Sequence, residues 1–266
     1  MIKLSDYVFQ FLQGKGVQYA FMLPGGGAMH LDDSIGRSGI QYICTLHEQA
    51  AAVAAEAYAQ HTNRIGVCLT TSGPGATNAI TGITAGWIDS TPMFVISGQA
   101  KRSDLIGETG VRQIGSQEVQ IIDMVRPITK YAVQVMEPAE IRYHMERAYY
   151  EATNGRPGPV WLSIPLDVQA AMVEPEKLEG YVPETPAKPD LTETITKTVR
   201  LLQQAKKTGH SGRKWNQLAD ATEDFTNYWK YYRFRYLLPG KQSTCWEKKM
   251  NSMWGIPEEW VTVEQI

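Results

Sequence analysis

Short apolar runs alternate with helical segments along the first 170 residues of the chain. Six runs without polar alternation predict buried strands at 17–24, 40–46, 65–71, 92–98, 128–135 and 158–165. The segments between them, such as IKLSDYVFQFLQGKG and HEQAAAVAAEAYA, carry apolar residues at helical spacing. Buried strands separated by helices predict an α/β fold with a roughly six-stranded parallel sheet and helices on both faces. A linker and an irregular tail follow.

The turns after these strands hold the unusual residues. In parallel sheets, ligands bind beyond the carboxyl ends of the strands. The turns LPGGGA and TTSGPGATN offer small residues, and the second also offers free backbone N–H groups at a helix start, which suit a ligand that contacts main chain. A tight strand–helix turn without a ligand is an equally good interpretation. A phosphate loop ending in Gly-Lys is excluded, because no lysine follows.

Glu48 stands at the start of an alanine-rich helix, directly after His47. A zinc site of the H-E-x-x-H kind is excluded because position 51 is alanine. From spacing alone, the favoured interpretation of Glu48 is an acid in the first turn interacting with the helix dipole. The many alanines also predict a helix that approaches its neighbour closely enough to bury this acid.

Composition narrows the classes of function. The net charge of −2 gives no electrostatic reason to expect a nucleic-acid partner. Cys44, Cys68 and Cys245 lack metal-ligand spacing and are interpreted as reduced thiols. No apolar run reaches the roughly 18 residues that a membrane span needs. The expectation is a cytoplasmic protein with no metal site and no membrane partner.

Five motifs in a fixed order carry a family resemblance. They are LPGGGAMHLDDSI, HEQAAAVAAEAYA, TTSGPGATNAITGITAGWIDSTPMFVISG, GSQEVQIIDMVRPITKYAV and GRPGPVWLSIPLDV. The combination resembles the thiamine diphosphate enzyme superfamily, specifically the N-terminal pyrimidine-binding domain of acetolactate synthase-like proteins. The resemblance covers about residues 1–175.

The resemblance implies a cofactor, thiamine diphosphate, and a role for Glu48 as the carboxylate that hydrogen-bonds N1′ of its aminopyrimidine ring. Gln117 matches a glutamine near the reacting centre. The expected lining of the cofactor site is made of turn residues, with Pro24, Gly25 and Gly26 bordering the substrate side and Ser72, Gly73, Pro74, Gly75 and Asn78 facing the pyrimidine.

The resemblance leaves the reaction open. The resemblance implies 2-oxo acids as substrates, which a transferase would join or a lyase would decarboxylate. Acetolactate synthases usually carry an aromatic residue where this chain has Ser116 and a lysine where it has Leu166. Arg156 matches a residue that contacts FAD in some relatives, and a structural turn arginine is an equal alternative.

The diphosphate-binding region of the family is not recognisable, because no G-D-G motif occurs. Mg²⁺ is therefore expected only with that missing domain. The expected partners are a 2-oxo acid substrate and either further copies in a homodimer or tetramer or a partner chain that carries the diphosphate domain. Alone, the chain is expected to bind cofactor weakly and to be inactive. The alternative is a non-catalytic α/β module for dimerisation or assembly.

The end of the chain departs from the family. The predicted division is a pyrimidine-binding domain at 1–175, a linker at 176–190, the first helix of a truncated middle domain at 191–207 and an aberrant tail at 208–266. Five of the seven tryptophans lie in that tail, and a single-strand nucleic-acid surface is a disfavoured explanation. Rereading its codons in a neighbouring frame yields middle-domain-like sequence, so the favoured hypothesis is a poorly ordered frameshift product.

Overall fold

The computed structural model describes residues 1–183 and 190–204 of the chain. They belong to two units that divide after residue 185. The strands of the first unit are β1 (Ile2–Lys3), β2 (Tyr19–Met22), β3 (Gln41–Cys44), β4 (Gly66–Thr70), β5 (Met93–Gln99), β6 (Tyr131–Gln134), β7 (Pro159–Pro165) and β8 (Met172–Val173). Strands β2 to β7 form one sheet in the order β3-β2-β4-β5-β7-β6, and every neighbouring pair is parallel. The predicted six-stranded parallel sheet is confirmed. The predicted burial is wrong for β3, whose four residues are exposed because this strand lies at the edge of the sheet.

Helices cover both faces of this sheet. They are α1 (Leu4–Gly14), α2 (Met29–Arg37), α3 (Glu48–Thr62), α4 (Pro74–Ile88), α5 (Ile121–Val125), α6 (Ile141–Thr153) and α7 (Leu166–Ala170). One hydrophobic cluster joins the sheet to α1, α2, α6 and α7, and a second joins it to α3, α4 and α5. The prediction of helices on both faces is therefore confirmed.

Strand β5 shows why the strands lack polar alternation. Phe94 and Ile96 belong to the first hydrophobic cluster, whereas Met93 and Val95 belong to the second. Because both faces of the strand are buried, both sets of alternate side chains must be apolar. The indole N–H of Trp161 on β7 donates to Ser97 Oγ at 2.9 Å, so the polar atom of this buried ring has a partner.

Several short elements give no separate signal in the hydrophobic pattern. Strands β1 and β8 pair antiparallel through two residues each, and β1 takes Ile2 and Lys3 from the segment that the pattern predicts as helix. Helices α5 and α7 have five residues each. Elements of this length are too short to show a periodicity, and contacts with distant parts of the chain decide them.

The first unit continues into the segment predicted as a linker. Leu178 is 8% exposed and belongs to the first hydrophobic cluster. The Tyr181 N–H donates to the Glu146 carboxylate at 2.7 Å, which ties this segment to α6. The four-part division of the chain otherwise stays a prediction.

In the second unit, the described part holds the helix α8 (Thr192–Gln204), which lies within the segment 191–207 predicted as the first helix of a middle domain. Asp190 accepts a hydrogen bond from the Thr192 N–H at 3.0 Å, and the hydrogen bonds from Thr192 lower the pKa of its carboxyl group. The predicted tail and its frameshift interpretation lie outside the described residues. Within the described ranges, no helix is both long and apolar enough to cross a membrane.

Helices α3 and α4 pack closely through small residues. The buried positions of α3 are Glu48 and four alanines, at 51, 52, 55 and 59. Gly82 of α4 faces them, and a Cβ atom at this position would lie 2.7 Å from Ala52 Cβ and 2.8 Å from the Ala52 backbone carbon. The helices can approach this closely only because Gly82 has no side chain.

We expect Gly82→Ala to lower the free energy of unfolding by about 1–3 kcal/mol, because the added methyl group must push the helices apart. Alanine has the higher helix propensity, so propensity alone predicts the opposite sign. The matched control is Gly36→Ala in α2, where the added Cβ would meet nothing within 4 Å. Urea unfolding of both variants checks the prediction, and equal stabilisation by both would contradict the close contact.

Candidate functional site

Two glycine-rich turns meet at the carboxyl edge of the sheet. The Gly27 N–H, after β2, donates to Thr71 Oγ1, after β4, at 3.0 Å. A Cβ atom on Gly25 would lie 2.5 Å from Thr71 Cβ, and one on Gly27 would lie 2.4 Å from Ser72 Oγ. On the other side, a Cβ on Gly98 of β5 would lie 2.0 Å from the Gly27 oxygen. Bare backbone is therefore required at these positions.

Glu48 enters this edge from the first turn of α3. The preceding residue, His47, caps the helix by accepting the Gln49 N–H at its Nδ1 atom at 3.1 Å. Glu48 itself is 7% exposed, and Asn78 Nδ2 donates to its Oε2 atom at 3.0 Å. A Cβ atom on Gly75 would lie 3.1 Å from Glu48 Oε1. The carboxylate is thus buried, held by an amide and bordered by backbone.

Gln117 reaches the same edge from the loop after β5. Its φ of 56° is in the left-handed region, which is uncommon for a residue other than glycine. Gly73 has a φ of 57°, and a Cβ there would lie 2.1 Å from the Gln117 oxygen. The backbone of Gln117 therefore packs directly against the turn after β4.

Most of the residues predicted for the site are brought together at this edge. They are Pro24, Gly25 and Gly26 in the turn after β2, Glu48 on α3, Ser72, Gly73, Pro74, Gly75 and Asn78 around the start of α4, and Gln117. Gly26 faces open space, since a Cβ there would meet nothing within 4 Å.

Arg156 is not part of this group. It precedes β7, at the opposite edge of the sheet, and its Nε atom donates to Ser90 Oγ at 2.7 Å. The contact with FAD stays a prediction. Among the described residues, no group of three or more His, Cys, Asp and Glu side chains is placed to hold a metal ion.

Comparison with known proteins identifies the family of the part of the chain that carries these residues. The family model described as "Thiamine pyrophosphate enzyme, N-terminal TPP binding domain" matches residues 2–124. Residues 2–124 belong to this family. The TPP (thiamine diphosphate) binding domain thus contains the turns after β2 and β4, Glu48 and Gln117.

The relatives are acetolactate synthases. The chain is 44% identical over 170 residues to the acetolactate synthase large subunit of Haemophilus influenzae, which covers 63% of this chain and 29% of that protein. It is 38% identical over 196 residues to a probable acetolactate synthase large subunit of Methanocaldococcus jannaschii, with 71% and 32% covered. For the chloroplastic enzyme of Arabidopsis thaliana, the identity is 36% over 214 residues, with 77% and 30% covered. The domain is acetolactate synthase-like, and the chain spans about a third of the length of these curated relatives.

Asp32 is a residue of the TPP-binding domain that motif reasoning missed. Its Oδ2 atom accepts the Gly25 N–H at 3.0 Å, while its Oδ1 atom is buried and has no hydrogen-bond partner among the residues that the structure describes. Burial raises the pKa of this carboxyl group to about 6, and the Gly25 hydrogen bond opposes part of the rise. In the sequence, the pair Asp32-Asp33 after a glycine turn is only a weak signal of an inward-facing acid. The pair does not indicate which of the two carboxylates points inward.

Cys68 on β4 is fully buried beside the site. Burial, and secondly the charge of Glu48, raise the pKa of its thiol to about 12. The neutral thiol therefore forms an uncharged neighbour for the Glu48 carboxylate.

We expect Asp32→Asn to stabilise the protein above pH 6. The raised pKa means that the folded state disfavours the ionised carboxylate, so stability is lost as the pH rises through about 6. The variant keeps an oxygen for the Gly25 N–H and removes the charge. With allowance for partial solvent access, the gain at pH 8 should be about 1–2 kcal/mol and should vanish below about pH 4.

The control for this prediction is Asp33→Asn. Asp33 is exposed and bonds Lys3 and Arg37 at 2.8 and 2.7 Å. The hydrogen bond from Lys3 is the main cause that lowers its pKa, so this variant should lose stability at pH 8. Urea unfolding from pH 4 to pH 8 measures both, and a shift of the same sign in the two variants would contradict the assignment.

Proposed function

We propose that this domain binds the aminopyrimidine part of thiamine diphosphate, with the Glu48 carboxylate against N1′ of the ring. The observation that carries the proposal is the position of Glu48. The Glu48 carboxylate is only 7% exposed and lies where glycine-rich segments converge. A purely structural role at the surface would not require a carboxylate to be buried in this way.

The shape of the site fits a flat ring. The turn after β4 presents Ser72, Gly73, Pro74 and Gly75. The two glycines have no side chains, so a ring can approach their backbone. A side chain at position 75 would crowd Glu48 Oε1, so glycine leaves that oxygen approachable. The open space beside Gly26 supports its placement on the substrate side.

When bound, thiamine diphosphate supplies a nucleophilic carbon and an electron sink for reactions of 2-oxo acids. The chain's own residues would manage the proton. Glu48 would hold or release a proton at the carboxylate oxygen that faces the ring, while the Asn78 amide keeps Oε2 in place. Gln117, whose backbone rests on Gly73, would present its side chain near the reacting centre.

The wider activity is part of the same proposal. It is carboligation or decarboxylation of 2-oxo acids by a cytoplasmic transferase or lyase, with Arg156 as the residue that would contact FAD. The proposed assembly is a homodimer, a tetramer or a complex with a chain that carries the Mg²⁺ and diphosphate site. The names of the relatives support the reaction class.

A second candidate is a non-catalytic module for dimerisation or assembly. Large apolar side chains are exposed close to Glu48, among them Leu46, which is 101% exposed, and Val53 on α3. Tyr42 and Ile43 on the edge strand β3 are exposed as well. Exposed apolar groups of this kind are typical of interaction surfaces.

Saturation-transfer difference NMR with thiamine tests the proposed function, because the method detects weak binding. The pyrimidine protons of thiamine should receive saturation from the full chain, and an isolated hydroxyethylthiazole fragment should receive far less. Glu48→Gln should weaken thiamine binding about 10-fold, since it removes one charge-assisted hydrogen bond. Glu108→Gln, at an exposed position, is the control for the same change of charge.

Two outcomes separate the candidates. Equal binding of thiamine by the wild type and Glu48→Gln would refute the cofactor role. If Glu48→Gln abolishes activity reconstituted with a complementary diphosphate-binding domain and leaves the pairing intact, the enzyme interpretation holds. Pairing without activity in the wild type would favour the assembly module.

A further inference from the structure

The loop between β5 and α5 contains a second buried carboxylate. Glu118 is 6% exposed and follows Gln117 directly in the chain. Its Oε1 atom accepts the Ile106 N–H at 2.6 Å, and its Oε2 atom accepts the N–H groups of Ile114 and Gly115 at 3.2 Å each. One side chain thereby joins two separate parts of the loop.

The loop is also fastened on either side of Glu118. Gln99, at the end of β5, is 1% exposed and donates from its side chain to the Val119 oxygen at 2.8 Å. Gly115 packs against the start of the loop, where a Cβ on it would lie 2.5 Å from Ala100 Cβ and 2.8 Å from the Asp104 oxygen. The residues before and after position 117 therefore have defined contacts.

Gln117 occupies the interval between these contacts. A left-handed φ costs free energy for a residue with a side chain, and it persists only where the surroundings impose it. Glu118 supplies such a constraint. Its three hydrogen bonds hold the backbones of Ile106, Ile114 and Gly115 around one carboxylate, and this limits the path of the chain on either side of Gln117. The result is the contact between the Gln117 carbonyl and Gly73.

We propose that Glu118 is a positioning residue for the cofactor site. It acts through Gln117: the carboxylate organises the loop at 106–118, the loop holds the Gln117 backbone on the turn at Gly73, and this placement directs the Gln117 side chain toward the cofactor. This inference rests on the proposed function, since the turn at Gly73 is the surface that would face the pyrimidine ring.

The chemistry explains why this position needs a carboxylate. An ionised carboxyl group only accepts hydrogen bonds, and its two oxygens can serve all three N–H donors. In Glu118→Gln, one oxygen becomes an NH₂ group that faces either the Ile106 N–H or the pair at Ile114 and Gly115. The NH₂ group of the new glutamine would then face a backbone N–H, and two donors cannot bond each other. At least one hydrogen bond would therefore be lost, with little change in side-chain volume.

Hydrogen–deuterium exchange in the full chain tests the first step. Glu118→Gln should speed the exchange of backbone amides in 106–118 by about 10-fold relative to the wild type, because loop opening becomes easier. Glu108→Gln, in the same loop at an exposed position, should leave exchange unchanged. If Glu118→Gln matches Glu108→Gln, the inference is overturned.

A double-mutant cycle tests whether Glu118 acts through Gln117. Thiamine is the probe, and its affinity is measured by saturation-transfer NMR. Glu118→Gln should weaken binding by about 3- to 10-fold when Gln117 is present and by less than about 2-fold in the Gln117→Ala background. An equal loss in both backgrounds would show that Glu118 only stabilises the fold, which overturns the inference.

The two proposals fail in distinguishable ways. If the wild-type chain shows no saturable binding of thiamine, the proposed function fails, and exchange alone then decides whether Glu118 organises the loop. If thiamine binds through Glu48 but Glu118→Gln alters neither exchange nor affinity, only the positioning role is wrong.

Discussion

Close contact between glycine backbone and neighbouring segments is the constraint on which the site depends. The turns after β2 and β4, the end of β5 and the loop of Gln117 converge within contact distance, and each of these contacts involves a glycine: Gly25, Gly27, Gly73 or Gly98. The same condition brings α3 against α4 at Gly82. At Glu48 itself the contact is with Gly75, whose missing side chain leaves room for the carboxylate oxygen, so the position of the acid also depends on a glycine.

The strands could be predicted because each buried run of β4, β5 and β7 is apolar at successive positions, which a strand covered on both faces requires. The motif resemblance placed the site residues at strand ends. It could not show that Asn78 would hold Glu48, because that bond joins residues 30 positions apart. Asp32 was missed for a similar reason: nothing local distinguishes it from the exposed Asp33.

Spacing alone favours a helix-dipole role for Glu48, and the geometry around this residue is compatible with both that role and the proposed chemical one. The residue does lie in the first turn of α3, where a negative charge is favourable. It is also buried and bonded to an amide, which the dipole does not require. The helix terminus and Asn78 therefore offset part of the desolvation cost that a buried carboxylate carries.

The complete burial of Cys68 determines how readily this part of the protein is oxidised. Burial raises the pKa of this thiol to about 12, so the reactive thiolate is strongly disfavoured at neutral pH. Oxidants and electrophiles attack the thiolate, so the sulfur beside Glu48 is chemically quiet. A cysteine at this position thus fills space near Glu48 without adding a redox liability.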